Sequence, residues 1–155
     1  MQANKQILFG FVGAGLSILI LNQLRKNMKT NTLTKNFTFK EFESKDGAKM
    51  PQDVKENIKL LATELEKIRS AFKSPIKINS GYRSPKHNAS IGGASNSYHM
   101  KGMAADFNVE GRTPRQVVSI IEQMIADGLL KQGGLGLYDN WVHYDIRGSK
   151  ARWNG

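Results

Sequence analysis

The sequence predicts an α+β protein, a small antiparallel sheet with flanking helices, preceded by an N-terminal transmembrane helix. Three observations predict it. Apolar residues recur at helical spacing in two separate stretches, 52–72 and 117–125. Two-residue alternation marks 76–79 and 103–109, and a glycine-led hairpin follows at about 133–146. An uncharged apolar run fills residues 7–21. Helix, strand, helix and hairpin in that order build an antiparallel sheet with helices to one side rather than a βαβ repeat, and 155 residues bury one core without staples.

The apolar run Ile7 to Leu21, with Asn22, Gln23 and Leu24 before Arg25 and Lys26, is at the short end of a membrane span. A signal-peptide core has similar length, but no small-x-small cleavage site follows; a buried core helix is the third alternative. Residues 1–24 are therefore expected to be an uncleaved membrane anchor. Only Lys5 precedes the run, whereas Arg25, Lys26, Lys29 and Lys35 follow it. That charge bias places the C-terminal domain on the cytoplasmic side, against any work outside the cell, unless a phage or virion membrane protein is inserted from the host cytoplasm and meets its substrate later.

Residues 25–36 are polar, rich in Asn and Thr, and read as a linker. The domain proper spans 37–155, opening on Phe37, Phe39 and Phe42, with a turn at Lys45-Asp46-Gly47. Val54, Ile58, Leu61, Leu65, Ile68 and Phe72 step by four and three, so one face of this helix is buried. Pro75 ends the connection, and Ile76 to Asn79 alternate as a strand that delivers Gly81, Tyr82 and Arg83. Residues 87–96, with Gly92-Gly93 at their centre, read as a loop. From 103 to 109, Met103, Ala105, Phe107 and Val109 share one side and Ala104, Asp106 and Asn108 the other. Thr113-Pro114 starts a helix with Val117, Ile120, Ile121, Met124 and Ile125 as its buried stripe and Gly128 at its end. The hairpin turns near Asp139-Asn140 and returns through Trp141 to Ile146.

Composition limits the chemistry. No cysteine is present, so disulfides and thiolate metal sites are excluded, and any metal is held by His, Asp or Glu. The net charge is +10, but residues 1–36 hold five of the 23 basic residues and none of the 13 acidic ones. The remainder therefore carries 18 against 13, an ordinary surface excess. Without a Lys/Arg stripe or nucleic-acid motif, nucleic acid is not expected as a partner.

Two imidazoles and a carboxylate stand out. A hydrolytic zinc site takes three protein ligands and leaves a position for water. His99 ends the Ser/Gly-rich loop, Gly102 allows a tight turn, and Asp106 projects from a strand seven residues on. His143, on a strand that can pair nearby, would complete the set. Each alone is weak, since single His and Asp residues more often serve the surface or an ion pair. His87 reads as surface or as support to the site.

The motifs Ser80-Gly81-Tyr82-Arg83-Ser84-Pro85, Ser97-Tyr98-His99 with Gly102 and Ala104-Ala105-Asp106-Phe107, and Val142-His143-Tyr144-Asp145-Ile146-Arg147 resemble the M15 family of zinc peptidases. This family includes D-alanyl-D-alanine carboxypeptidases and phage endolysins. The resemblance runs from about 37 to 153. It implies a fold shared with the Hedgehog signalling domain, one Zn2+ on His99, Asp106 and His143, and hydrolysis of peptidoglycan peptides by carboxypeptidase or endopeptidase action. It matches Arg83 to the arginine that binds the substrate carboxylate or stabilises developing charge, for which a guanidinium fork is suited.

A carboxylate must also take the proton of the attacking water. Many relatives carry Glu or Asp three residues before the last His; here that position is Asn140. Asp145, two residues after His143 and so on the same strand face, is preferred as the substitute. Asp139 is the other candidate, brought in only by the turn. Otherwise Asp145 orients His143 or pairs with Arg147, and Asp139 is a turn former. Tyr98, Tyr138, Trp141 and Tyr144 are candidates to line the substrate groove, with structural packing the alternative for at least half of them. The absent acid at 140 keeps open an alternative: a non-catalytic, zinc-containing module that binds cell wall or protein.

Overall fold

The computed structural model describes residues 17–23 and 31–155. Most of the apolar run 7–24 and half of the expected linker 25–36 lie outside the described residues. Residues 17–23 are helical with exposed side chains. Among the described residues no helix is long and apolar enough to cross a membrane. The second compact unit runs from Leu33 to Gly155, so it takes in residues 33–36, which the sequence assigns to the linker. The physical reason is Glu66, which accepts hydrogen bonds from Thr34 Oγ1 at 2.6 Å and from Asn36 N and Nδ2, each at 2.7 Å.

Within this unit a 3-10 turn at Phe39–Phe42 leads to α1 (Gln52–Phe72). Val54, Ile58, Leu61, Leu65 and Ile68 are buried, as their spacing requires. Full burial contributes about 1.5–3 kcal/mol for each such side chain, which fixes this face against the sheet. After β1 (Ile76–Ser80) comes α2 (Pro85–Ser90), where the sequence reads loop from 87 onward. Ser84 caps it by accepting from His87 N at 3.0 Å, and Pro85 supplies the first-turn φ. One and a half turns are too short to show an apolar period. Then follow β2 (Ala104–Val109) and α3 (Pro114–Ala126), capped reciprocally by Thr113 and Gln116. Val117, Ile121 and Met124 of α3 are buried, whereas Ile120 is 41% exposed and so is not part of the buried stripe.

The chain ends in β3 (Gly134–Leu137), β4 (Val142–Asp145) and β5 (Ala151–Asn154). The five strands lie in the order β1-β2-β4-β3-β5. All pairs are antiparallel except β3 with β5, so the sheet is mixed rather than wholly antiparallel. The cause is that the chain reverses after β4 and crosses to the free edge of β3, where it must run in the direction of β3.

Ala105, Phe107 and Val109 of β2, Val142 and Tyr144 of β4, and Leu135 of β3 join the side chains of α1 and α3 in one core. The other sheet face carries a row that crosses all five strands. Ser80 is opposite Asp106, Asp106 opposite His143, His143 opposite Gly136, and Gly136 opposite Trp153. Directly opposed residues share a face and bring their Cβ atoms to about 5 Å. A bulge in β1 between Ile78 and Ser80 adds the residue that puts Ser80, not Asn79, beside Asp106.

Candidate metal centre

The row across the sheet supplies two of the three expected ligands as cross-strand neighbours. His99 arrives from the loop ahead of β2. Gly102 has φ +68, and a Cβ there would stand 2.7 Å from Val54 O, so only glycine turns the chain this close to α1. Gly102 N and Arg83 N both donate to His99 O, at 3.1 and 3.2 Å, fixing the backbone of His99.

Three donor atoms converge. His99 Nε2 lies 3.2 Å from Asp106 Oδ1 and 3.3 Å from His143 Nδ1, and His143 Nδ1 lies 2.8 Å from Asp106 Oδ1. All three residues are buried. A metal held at roughly 2.0–2.1 Å by tetrahedrally arranged donors sets those donors about 3.3 Å apart, so the triangle fits one face of such a site.

The far atoms of the three side chains decide their protonation. His99 Nδ1 is 2.7 Å from Gly81 O, a pure acceptor, so Nδ1 carries the hydrogen and Nε2 presents its lone pair. His143 Nε2 is 3.0 Å from Asp145 Oδ2, so Nε2 donates and Nδ1 faces the triangle. Asp106 Oδ2 accepts from Arg83 Nη2 at 2.5 Å, and Arg83 Nε donates to Ser80 Oγ at 3.0 Å. Burial lowers the His99 pKa despite Asp106. Burial acts the same way on His143, but its bonds to Asp106 and Asp145 outweigh it and the pKa lies above the ordinary value. For Asp106, burial favours the neutral acid; its close contacts with His143 and His99 outweigh this and hold the carboxyl well below the usual range. Once His143 gives up the proton it shares with Asp106, two ring lone pairs and a carboxylate oxygen face one another, the donor set of a divalent cation.

These residues form the floor of a cleft of about 520 Å³. Residues 92–98, Tyr138, Arg147 and Trp153 form its walls, with Arg147 packed on the Tyr98 ring. The Trp153 ring lies 5.0 Å from the His143 ring, and Trp153 Nε1 donates to Tyr138 Oη at 3.0 Å. A second cleft of similar volume, lined by Phe72, Arg112, Arg115 and Ile120 among others, contains no imidazole or carboxylate.

A model of the peptidase M15 family matches residues 31–145. The chain belongs to the peptidase M15 family. It is 38% identical over 87 residues to a probable peptidoglycan L,D-endopeptidase, MepK, of Haemophilus influenzae, covering 52% of this chain and 43% of that protein. It is 34% identical over 88 residues to peptidoglycan L,D-endopeptidase MepK of Escherichia coli K12, covering 52% and 44%. The matches thus span less than half the length of these relatives.

Against this M15 frame, the structure brings His99, Asp106, His143, Arg83 and Tyr98 to the cleft. The two carboxylates expected as proton acceptor do not reach it. Asp145 is fully buried behind His143. Its oxygens accept from His143 Nε2, Gly134 N, Arg147 N and the Arg147 guanidinium, so strand parity aligned it with His143 but not with the open face of the triangle. Burial favours its neutral form, yet these bonds hold its carboxyl well below the usual range. Asp139 is exposed in the hairpin turn and lines no part of the cleft. Tyr138 lines the cleft, Trp141 stacks on it at 4.8 Å without lining the cleft itself, Tyr144 is fully buried in the core, and His87 is not in the cleft. Sequence reasoning missed Arg147 and Trp153 as wall residues. A signal existed for Trp153: Gly136, opposite it, is the one position of the row without a side chain.

Proposed function

We propose that this chain is a zinc-dependent peptidase that hydrolyses peptide bonds in peptidoglycan, with endopeptidase action favoured by the names of its relatives. The observation that carries the reading is the buried triangle of His99 Nε2, Asp106 Oδ1 and His143 Nδ1 on the floor of an open cleft. Zinc, when bound, supplies Lewis acidity, acidifying water and polarising a carbonyl. The chain's own contribution is preorganisation. Gly81 O and Asp145 set the two imidazole tautomers, and Arg83 pins the far oxygen of Asp106. Arg83 lines the cleft and its Nη1 makes no hydrogen bond among the described residues, which leaves it free to donate to an oxygen that gains charge.

One observation favours the second reading, a zinc-containing module that binds wall peptides without cutting them. Asp106 is the only carboxylate among the described residues that line the cleft, so no separate proton acceptor stands there. Mass spectrometry of muropeptides treated with the zinc-loaded chain decides between them. New amine and carboxyl ends that vanish with chelator and return with zinc establish the peptidase; stoichiometric zinc and tight peptide binding without new ends establish the module.

We further infer that the apolar run 7–24 tethers the domain to a membrane, on the support of its composition alone. Its flanking charges then put the domain on the side of synthesis, as a phage-encoded protein reaching the wall late in infection would require. Release of the full chain from membranes by alkaline carbonate would refute the tether.

A further inference from the structure

Arg147 is held in a way that leaves part of it unused. Nε and Nη2 donate to Asp145, at 2.8 Å to Oδ1 and 2.5 Å to Oδ2. The guanidinium carbon lies 4.3 Å from the ring centre of Tyr98 and 5.7 Å from that of Trp153. A salt bridge at one edge and aromatic rings beside the plane fix the group. A guanidinium has five N–H donors, and Nη1 with the outer hydrogen of Nη2 has no partner among the described residues. That edge belongs to a side chain that lines the cleft and is 21% exposed. Charge points the same way. Two arginines, Arg83 and Arg147, line the cleft beside one acid, Asp106, and a divalent ion would add to the excess.

From this geometry we propose that Arg147 is a specificity-determining residue: its free edge receives a carboxylate of the substrate next to the bond that lies over the triangle. The inference rests on the peptide-binding reading above and names its substrate class, a peptide with a free acid adjacent to the scissile bond rather than an amidated one. Preorganisation is the reason. The side-chain entropy of Arg147 is already spent on Asp145 and the two rings, so a carboxylate gains a charge-assisted hydrogen bond without ordering a long side chain.

The test uses the zinc-loaded full chain and two short peptides whose central bond is an uncleavable reduced amide. They differ only in a free carboxylate or a carboxamide beside that bond. Calorimetry of the wild type is expected to show the acid binding about tenfold tighter or better. In Arg147→Gln the two affinities fall within about twofold of each other, and Arg147→Lys, a point charge without the fork, retains part of the preference. A role confined to holding Asp145 would weaken both peptides equally and leave the ratio intact. An indifferent wild type, or a ratio that survives Arg147→Gln and disappears in Arg83→Gln, overturns the proposal. Should Arg147→Gln fail to fold, Arg147→Lys alone decides, since an unchanged ratio there also overturns it. Because binding is read without turnover, failure of a cleavable peptide to be cut counts against the peptidase reading and not against Arg147.

Discussion

Asp145 shows how much a single residue's surroundings decide. Spacing places it on the same strand face as His143, and that parity is correct, yet the atom of His143 that faces the triangle is Nδ1 while Asp145 holds Nε2 on the other side of the ring. A carboxylate there orients the ligand and raises its basicity; it does not meet a water above the triangle. The two roles predict different losses in Asp145→Asn. Loss of a proton acceptor would leave zinc affinity intact and lower kcat alone. The orienting role predicts about 10–100-fold weaker zinc binding, measured by competition with a chromophoric chelator, and the structure supports this second outcome. The convergence of His99, Asp106 and His143 was legible in the sequence because histidines are few and cysteine is absent. The ring nitrogen each imidazole uses was not, because it depends on Gly81 O and Asp145, partners fixed only in three dimensions.

Among the elements, the long helix and the parity of β2 were readable because each repeats its pattern over several turns or residues. The crossing row was not. Ser80, Asp106, His143, Gly136 and Trp153 come together through strand order and register, and β5, four residues long and parallel to β3, has no alternation to announce it. Gly136 is the test of that row. A Cβ there would stand 2.6 Å from Trp153 Cε2 and Nε1, so Gly136→Ala should push the indole from beside His143 at a cost of about 1–3 kcal/mol. A fall in Tm with a red-shifted Trp153 emission in a Trp141→Phe background is expected; unchanged emission would contradict the packing. A second element is the turn before α1. Asp46 Oδ2 accepts from Ser84 Oγ at 2.6 Å and Oδ1 from Ala48 N at 3.2 Å, tying this turn to the cap of α2. Hydrogen bonding from Ser84 foremost lowers its pKa to about 2. Since the folded value is depressed, the stabilisation is complete above the unfolded carboxyl pKa near 4 and is lost as pH falls through about 2. Asp46→Asn should therefore melt lower than wild type at pH 7 and converge with it towards pH 2. A constant gap across that range would show that ionisation of Asp46 is not the cause.

For the whole domain, the triangle draws on three parts of the chain, the loop ahead of β2, β2 itself, and β4, which pairs with β2 in the sheet. His99 and His143 are 44 positions apart, and their donor atoms meet at 3.3 Å, so the arrangement exists only when the sheet has formed. A divalent ion that binds this triangle binds the folded chain and stabilises it by mass action. The unfolded chain offers three scattered histidines and no cysteine, a poor competitor for zinc. At free zinc about 100 times Kd the added stability is about 2.7 kcal/mol, which for a domain of this size raises Tm by on the order of 10 °C. The shift should grow with the logarithm of free zinc above Kd, disappear with chelator, and be largely absent in Asp106→Asn. A Tm independent of zinc in the wild type, or a shift of equal size in Asp106→Asn, would place the metal somewhere other than between these three residues.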